Sequence, residues 1–111
     1  MGADEPDAYV NHLMEAVRTG RNERLLDRLL VSALIEARGA ERLFLVAEKI
    51  EDPDIKRFYH RLARAEAHHR GFFIEMAQLY FDDLTIRLRL KELLEVEKKA
   101  ILSVPYRHAL H

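Results

Sequence analysis

Two long segments with a helical repeat of apolar residues, separated by one short break, constrain this chain more than any other feature. The first covers about residues 22–50 and contains no proline. Its apolar residues recur at steps of three and four, which places them on one face of an α-helix. The second segment, about residues 53–80, has the same repeat. In the break, Asp52 suits a helix cap and Pro53 suits a first helical turn, so we expect a tight helical hairpin.

Two shorter helices are predicted at the ends of this hairpin. One covers about residues 6–19 and stops before Gly20, and the other covers about residues 83–102 and precedes a loose C-terminal tail. The chain has 111 residues, is 49% hydrophobic and 33% charged, and contains 4 Gly and 3 Pro. Such a composition is typical of amphipathic helices and disfavours a sheet. We therefore expect residues 1–111 to form a single all-α domain.

The absence of cysteine and the balanced charge exclude several classes of function. With Cys 0, the chain has no disulfide, iron–sulfur cluster or thiol nucleophile, so a metal would have to be bound by histidine and carboxylates. The formal net charge of -1 provides no overall field that favours nucleic acid. The acidic N-terminus has no apolar signal core, and no apolar run reaches the roughly 18 residues of a membrane span. We expect a cytoplasmic protein.

Three polar side chains interrupt the apolar faces of the two long helices. At about 100° per residue, Glu66 lies within the apolar stripe of the second segment, and His69 lies close beside it. That stripe consists of Ile55, Tyr59, Leu62, Phe73, Ala77 and Tyr80. Glu36 holds the same position in the stripe of the first segment, next to the small residues Ala33, Ala37 and Ala40. A buried carboxylate requires a cation or strong hydrogen-bond donors, so we expect one or the other at this level.

The spacing of these three residues is typical of a di-metal carboxylate site. Glu66 and His69 form a Glu-x-x-His pair, whose side chains project from one face and can bind the same pair of metals. The hairpin should bring Glu36 to the same level, because each of its arms has about half the intervening length. Glu36, Glu66 and His69 are therefore our candidate metal ligands, with a buried salt bridge or polar network as the alternative. No catalytic acid or base stands out.

The other charged residues of the hairpin fit a solvated surface better than a site. Glu41 is predicted to face solvent on the same helix as Glu36, and His60 and His68 point away from the apolar stripe. A basic run on the second long helix consists of Lys56, Arg57, Arg61 and Arg64. This run could meet phosphate groups, although a solvated helix surface is the simpler interpretation.

Around the candidate ligands, the sequence resembles the tRNA 2-methylthio-isopentenyladenosine hydroxylase family, ferritin-like non-haem di-iron monooxygenases. The segments that carry the resemblance are LLVSALIEARGAERLFLVAE around Glu36 and FYHRLARAEAHHRGFFIEMA around Glu66 and His69. The C-terminal RLRLKELLEVEKKAILSVPYRHALH resembles the family more weakly. In the family pattern, Glu36 corresponds to the bridging glutamate of the third bundle helix. Glu66 and His69 correspond to the Glu-x-x-His of the fourth.

What the resemblance implies is a ferritin-like helical bundle with a di-iron centre, manganese being the alternative metal. The implied reaction is hydroxylation of the isopentenyl group of a modified tRNA adenosine. Dioxygen would be the oxidant, and a separate protein would donate the electrons. The resemblance thus implies that Glu36, Glu66 and His69 are metal ligands.

The chain departs from the family pattern in one respect. Complete members are longer, and their first two bundle helices carry another Glu and another Glu-x-x-His that have no counterpart here. We therefore expect a half-bundle hairpin that is completed by a homodimer or by a complementary half-bundle. A fragment or a truncated gene product is the competing interpretation.

Two other functions are compatible with the same residues. A half-bundle dimer could oxidise ferrous iron without an organic substrate, as small ferritin-like proteins do. Alternatively, the chain could keep the fold without the site and act as an inactive helical interaction module.

Overall fold

The computed structural model of the chain describes residues 4–103, and the side chains of residues 8–102. Within that range the chain forms four α-helices and no strand, which confirms the all-α prediction. The helices are α1 (Asp4–Glu15), α2 (Arg21–Lys49), α3 (Pro53–Tyr80) and α4 (Asp83–Ser103). The predicted C-terminal tail lies outside the described residues.

The connection between α2 and α3 is set by the predicted cap. The Asp52 carboxylate accepts hydrogen bonds from the backbone N–H groups of Asp54, at 2.9 Å, and Ile55, at 3.2 Å. Pro53 occupies the start of the helix, where its missing N–H has no intrahelical partner to lose. These local interactions fix where α3 begins and turn the chain back along α2.

Small side chains allow α2 and α3 to approach closely. The contact between the two helices contains buried alanines on both of them: Ala33, Ala40 and Ala47 on α2, and Ala63 and Ala77 on α3. On each helix these alanines are separated by multiples of seven residues, so they recur on one face over the whole hairpin. The hairpin is therefore a close-packed pair of helices, and the carboxylates of Glu36 and Glu66 lie close together at its centre.

The main apolar core lies where α1 and α4 pack against the hairpin. It joins buried residues of all four helices: Leu13, Leu26, Leu29, Leu30, Val31, Leu34, Ala77, Ile86 and Leu93. Most of these residues belong to the N-terminal half of α2. The two shorter helices therefore cover one side of the hairpin.

Helix α1 ends at Glu15, four residues earlier than the predicted end near Thr19. Its last turn is closed by tight hydrogen bonds from Ala16 to Leu13 and from Val17 to Met14. After that turn, the backbone N–H and the guanidinium group of Arg18 donate to the Asp27 carboxylate at 2.9–3.0 Å. A contact with the next helix, α2, thus follows the end of α1, and the Gly20 signal in the sequence did not indicate it.

Asp27 is a fully buried carboxylate that joins three parts of the chain. It accepts hydrogen bonds from Arg18 and from Nε and Nη2 of Arg89 on α4, and Arg89 also donates to the Ala16 carbonyl at 2.8 Å. Burial would raise the pKa of Asp27, but the hydrogen bonds from the two arginines outweigh it and lower the pKa to about 2. The buried charge is therefore compensated and holds α2 against α4.

The opposite side of α3 exposes large apolar side chains. The open face, as we call it, consists of Ile55, Phe58, Leu62, Phe72 and Leu79, which are 39–78% exposed. Ile55, Leu62 and Tyr80 were predicted to be core residues, and that prediction is wrong because no described element packs on this side. Among the described residues, no helix combines the length and apolar content needed to cross a bilayer.

Removal of the Asp27 carboxylate should destabilise the fold strongly. In Asp27→Ala, two arginines lose their shared partner, and we expect the free energy of unfolding to fall by about 3 kcal/mol. Chemical denaturation monitored by circular dichroism measures this difference. Arg57→Ala is the control, because its partner Asp54 is exposed, and it should change stability by less than about 1 kcal/mol. Equal effects of the two substitutions would contradict the buried ion-pair network.

The Asp27 ion pairs should also make the fold sensitive to acid. The pKa of Asp27 is lowered from 3.8 to about 2, so the folded state binds this proton less readily than the unfolded chain. Its contribution to stability is therefore present above pH 4 and is lost as the pH falls through 2. We expect the stability difference between the wild type and Asp27→Asn to shrink across this window. A difference that stays constant from pH 5 to pH 2 would show that Asp27 is not the titrating group.

Candidate metal centre

Three side chains meet at the middle of the hairpin. Glu36 lies near the midpoint of α2, and Glu66 lies near the midpoint of α3. His69 follows Glu66 by one helical turn. One potential ligand atom from each of these residues lies within 4.8 Å of the other two. The structure thus brings together the three residues that were predicted to be metal ligands.

Small residues of α2 provide the space for this cluster. A Cβ atom at position 39 would lie 3.5 Å from Oε2 of Glu66, so Gly39 places the α2 backbone beside that carboxylate. The neighbouring Ala40 is buried against α3. A larger side chain at either position would fill the volume in which the two carboxylates meet.

The electrostatics of the cluster favour the addition of a positive charge. Oε2 of Glu36 is buried and accepts no hydrogen bond, which leaves an acceptor of the kind that native folds rarely tolerate. Proton sharing with the Glu66 carboxyl raises the pKa of Glu36, and burial and the negative charge of Glu66 raise it further, whereas His69 lowers it. Glu36 therefore ionises reluctantly until a cation offsets the charge of the pair.

The donor set fits iron or manganese. Two carboxylates and one imidazole are the ligands that first-row divalent metals take in carboxylate-rich helical bundles. The unpaired Glu36 oxygen gives such an ion an acceptor without breaking an existing hydrogen bond. The residues present are therefore chemically suited to hold this metal.

The cluster is less enclosed than the sequence predicted. Glu36 and Glu66 are half-buried, and His69 is exposed, although all three were expected on the core face. The reason is that the stripe they interrupt belongs partly to the open face of α3, which lacks a covering element among the described residues. The site accordingly opens toward that face.

Three polar residues of the hairpin, Glu41, His60 and His68, were predicted to lie outside the site. Glu41 is exposed and pairs with Arg38, and His68 is exposed, as predicted. His60 was expected in solvent but is half-buried, with its Nε2 atom 3.7 Å from Glu48 and its ring beside Phe44. Side chains of α2 therefore cover His60, and it does not reach the cluster.

A further buried polar group, Glu97, was not predicted from the sequence. Glu97 of α4 is only 4% exposed and accepts hydrogen bonds from the Tyr9 hydroxyl, at 2.6 Å, and from Nε of Arg38, at 2.8 Å. Burial and then the hydrogen bond to Glu97 raise the pKa of Tyr9. The signal was present in the sequence, because Glu97 continues the apolar steps of α4: Ile86, Leu90, Leu93 and Ala100. This network joins α1, α2 and α4.

Comparisons with known proteins point to one family. The model of the family described as tRNA-(MS[2]IO[6]A)-hydroxylase (MiaE) matches residues 4–111. A protein of Salmonella typhimurium named tRNA 2-(methylsulfanyl)-N(6)-isopentenyladenosine(37) hydroxylase is 38% identical over 86% of this chain. A protein of Pseudomonas putida with the same name is 33% identical over 87% of this chain. No solved structure matches.

The relatives are considerably longer than this chain. The aligned region covers 34% of the Salmonella protein and 46% of the Pseudomonas protein. The chain thus spans less than half the length of either relative.

Removal of the charge on Glu36 should stabilise the metal-free protein at alkaline pH. Because the folded state raises the pKa of Glu36 above 4.5, wild-type stability falls as the pH rises from 4.5 through the raised value. Glu36→Gln cannot ionise, so it should be more stable than the wild type at pH 8 and close to it at pH 4. Chemical denaturation in the presence of a chelator measures the stability of the two proteins at each pH. Glu41→Gln is the matched control on the same helix, and a gain in that variant as well would argue against a specific repulsion.

Proposed function

The chain belongs to the MiaE family of tRNA hydroxylases, and on that basis we propose that it supplies half of a di-iron centre for hydroxylation of a modified tRNA adenosine. The substrate group would be the isopentenyl side chain. The observation that carries the proposal is the convergence of Glu36, Glu66 and His69 within 4.8 Å, on the segments that resemble the family.

In this proposal the three side chains have distinct roles. Glu36 would hold the metals from α2, where the buried Oε2 atom of its carboxylate has no hydrogen-bond partner. Glu66 and His69 bind from α3, where their spacing directs both side chains to one face. When bound, an iron pair would supply the redox chemistry that activates dioxygen for attack on an unactivated carbon.

The protein residues contribute the environment of that chemistry. The proximity of Glu66 raises the pKa of Glu36, so the pair binds a proton more readily than two isolated glutamates would. Metal binding displaces this proton, so affinity should increase as the pH rises. The buried alanines of the hairpin keep the two carboxylates at a fixed separation, which limits the rearrangement that binding requires.

A complete centre requires additional ligands and additional proteins. Di-iron bundles of this type use four Glu and two His, and one chain offers two Glu and one His. The missing ligands would come from a second copy or from a complementary half-bundle. Electrons would come from a separate donor, and tRNA would be the macromolecular substrate in the cytoplasm.

The exposure of His69 favours a second candidate function. A site that opens to solvent admits free metal ions directly, so the chain could oxidise ferrous iron without an organic substrate. Consumption of ferrous iron and oxygen, with modified tRNA left unchanged, would support this function over the hydroxylase.

Metal content should depend on the three predicted ligands. After anaerobic reconstitution with ferrous iron, we expect the wild type to retain iron, and Glu66→Ala and His69→Ala to lose it by about tenfold or more. His68→Ala is the matched control, because His68 is exposed on the same helix and points away from the cluster. Elemental analysis of the desalted protein gives the iron content.

The outcome also separates the three functions. Hydroxylated tRNA nucleoside, formed from the isopentenylated precursor by the iron-loaded protein with a chemical reductant, would support the hydroxylase. Equal and near-zero iron in the wild type and Glu66→Ala would instead indicate a helical module without a metal site. Mass spectrometry of digested tRNA measures the product.

A further inference from the structure

The open face of α3 has the spacing of a helix-packing seam. Its exposed residues Ile55, Phe58, Leu62, Ala65, His69 and Phe72 follow one another at steps of three, four, three, four and three. This alternation keeps the side chains in one slowly winding line that a partner helix can follow by supercoiling. The candidate ligand His69 lies within that line, so a helix packed there would also cover the metal site.

The surface of this seam contains a depression that can accept a side chain of a partner helix. Phe58, Arg61, Leu62 and Ala65 line a shallow, largely apolar depression of about 210 Å³. These four residues stand at positions i, i+3, i+4 and i+7 of one helix, which is the hole that accepts a knob from a facing helix in coiled-coil packing.

Helix α2 adds a second seam beside the first. Its half-buried or exposed residues Ser32, Glu36, Gly39, Leu43 and Val46 have steps of four, three, four and three. Two parallel lines of this kind form a surface that suits another two-helix hairpin rather than a single helix.

The dimensions of this surface match a stable interface. At about 1.5 Å per residue, α2 and α3 are each about 40 Å long. Two helices, each about 10 Å wide, present a face of about 800 Å² per chain. This equals the area that each partner contributes to a standard specific complex, about 800 Å². The open face together with the adjacent seam of α2 is thus large enough to hold a dimer together without α1 or α4.

The position of the candidate ligands within α2 and α3 determines which partner hairpin can complete the metal site. Glu36 and Glu66 lie near the midpoints of their helices, so a two-fold axis through the cluster overlaps the two copies along their whole length. The same axis doubles two Glu and one His to the four Glu and two His of a di-metal bundle. We propose that a second copy of this chain packs on the open face and completes the metal site, an inference that rests on the proposed function.

Arginines within and beside this interface should make dimerisation depend on the salt concentration. Arg28, Arg42 and Arg61 are exposed and form no ion pair among the described residues. Where the two-fold axis brings these like charges together, their repulsion is screened as the Debye length falls from about 8 Å at 0.15 M salt to about 3 Å at 1 M. Dimerisation should therefore strengthen with salt, whereas binding of an acidic protein or of RNA to this face would weaken.

Sedimentation velocity of the metal-free protein tests the proposal directly. The wild type should sediment at twice the chain mass of 13.0 kDa. Phe58→Glu and Leu62→Glu should each weaken the dimer by about 100-fold or more, because the symmetry buries two unpaired carboxylates. Leu88→Glu on α4 is the control: Leu88 is 56% exposed, comparable to 54% for Phe58, and lies off the open face. Circular dichroism verifies that each variant is folded.

The failure of this inference can be distinguished from the failure of the proposed function. Glu66→Ala should lose iron yet remain a dimer. A wild type that stays monomeric up to about 100 µM, or a dimer that Phe58→Glu and Leu62→Glu leave intact, overturns the proposed interface even if the chain binds iron. A dimer that responds to these variants but binds no iron supports the interface and overturns the metal site.

Discussion

Two carboxylates from neighbouring helices, those of Glu36 and Glu66, lie close together at the centre of the hairpin, and this proximity constrains how α2 and α3 can pack. Buried alanines bring α2 and α3 close together, and the neighbouring Glu66 carboxyl raises the pKa of Glu36. The cost of that arrangement is local, because Oε2 of Glu36 has no hydrogen-bond donor. A cation between the helices would remove the cost, and this relation links the packing of the hairpin to its proposed chemistry.

The two sides of the hairpin serve different purposes. On one side, α1 and α4 are held by an apolar core and by two buried carboxylates, Asp27 and Glu97, each of which is paired with arginine. Both carboxylates are compensated within the chain, unlike Glu36. The other side is apolar and uncovered, and the candidate metal ligands lie at its edge. The closed side stabilises the fold, and the open side leaves the proposed site accessible to a partner.

The accuracy of the sequence-based predictions varied with the range of the interactions involved. The start of α3 was predicted at Pro53, because Asp52 and Pro53 act on the backbone within three residues. The end of α1 was predicted too late, because it depends on the pairing of Arg18 with Asp27 nine residues away. Glu97 was overlooked although it interrupts an apolar repeat in the same way as Glu66. The rule that identified the candidate ligands would have found it as well.

By itself, the sequence determined the helical class, the hairpin, and the common level of Glu36, Glu66 and His69. These features follow from the helical repeat and from caps that act within one or two turns. Only the tertiary structure decided which apolar faces are covered, since the same stripe is buried at Ala77 and exposed at Leu62. The tertiary structure likewise decided that His69 is exposed. Periodicity shows that a face can be buried, but its burial depends on whether a distant element packs against it.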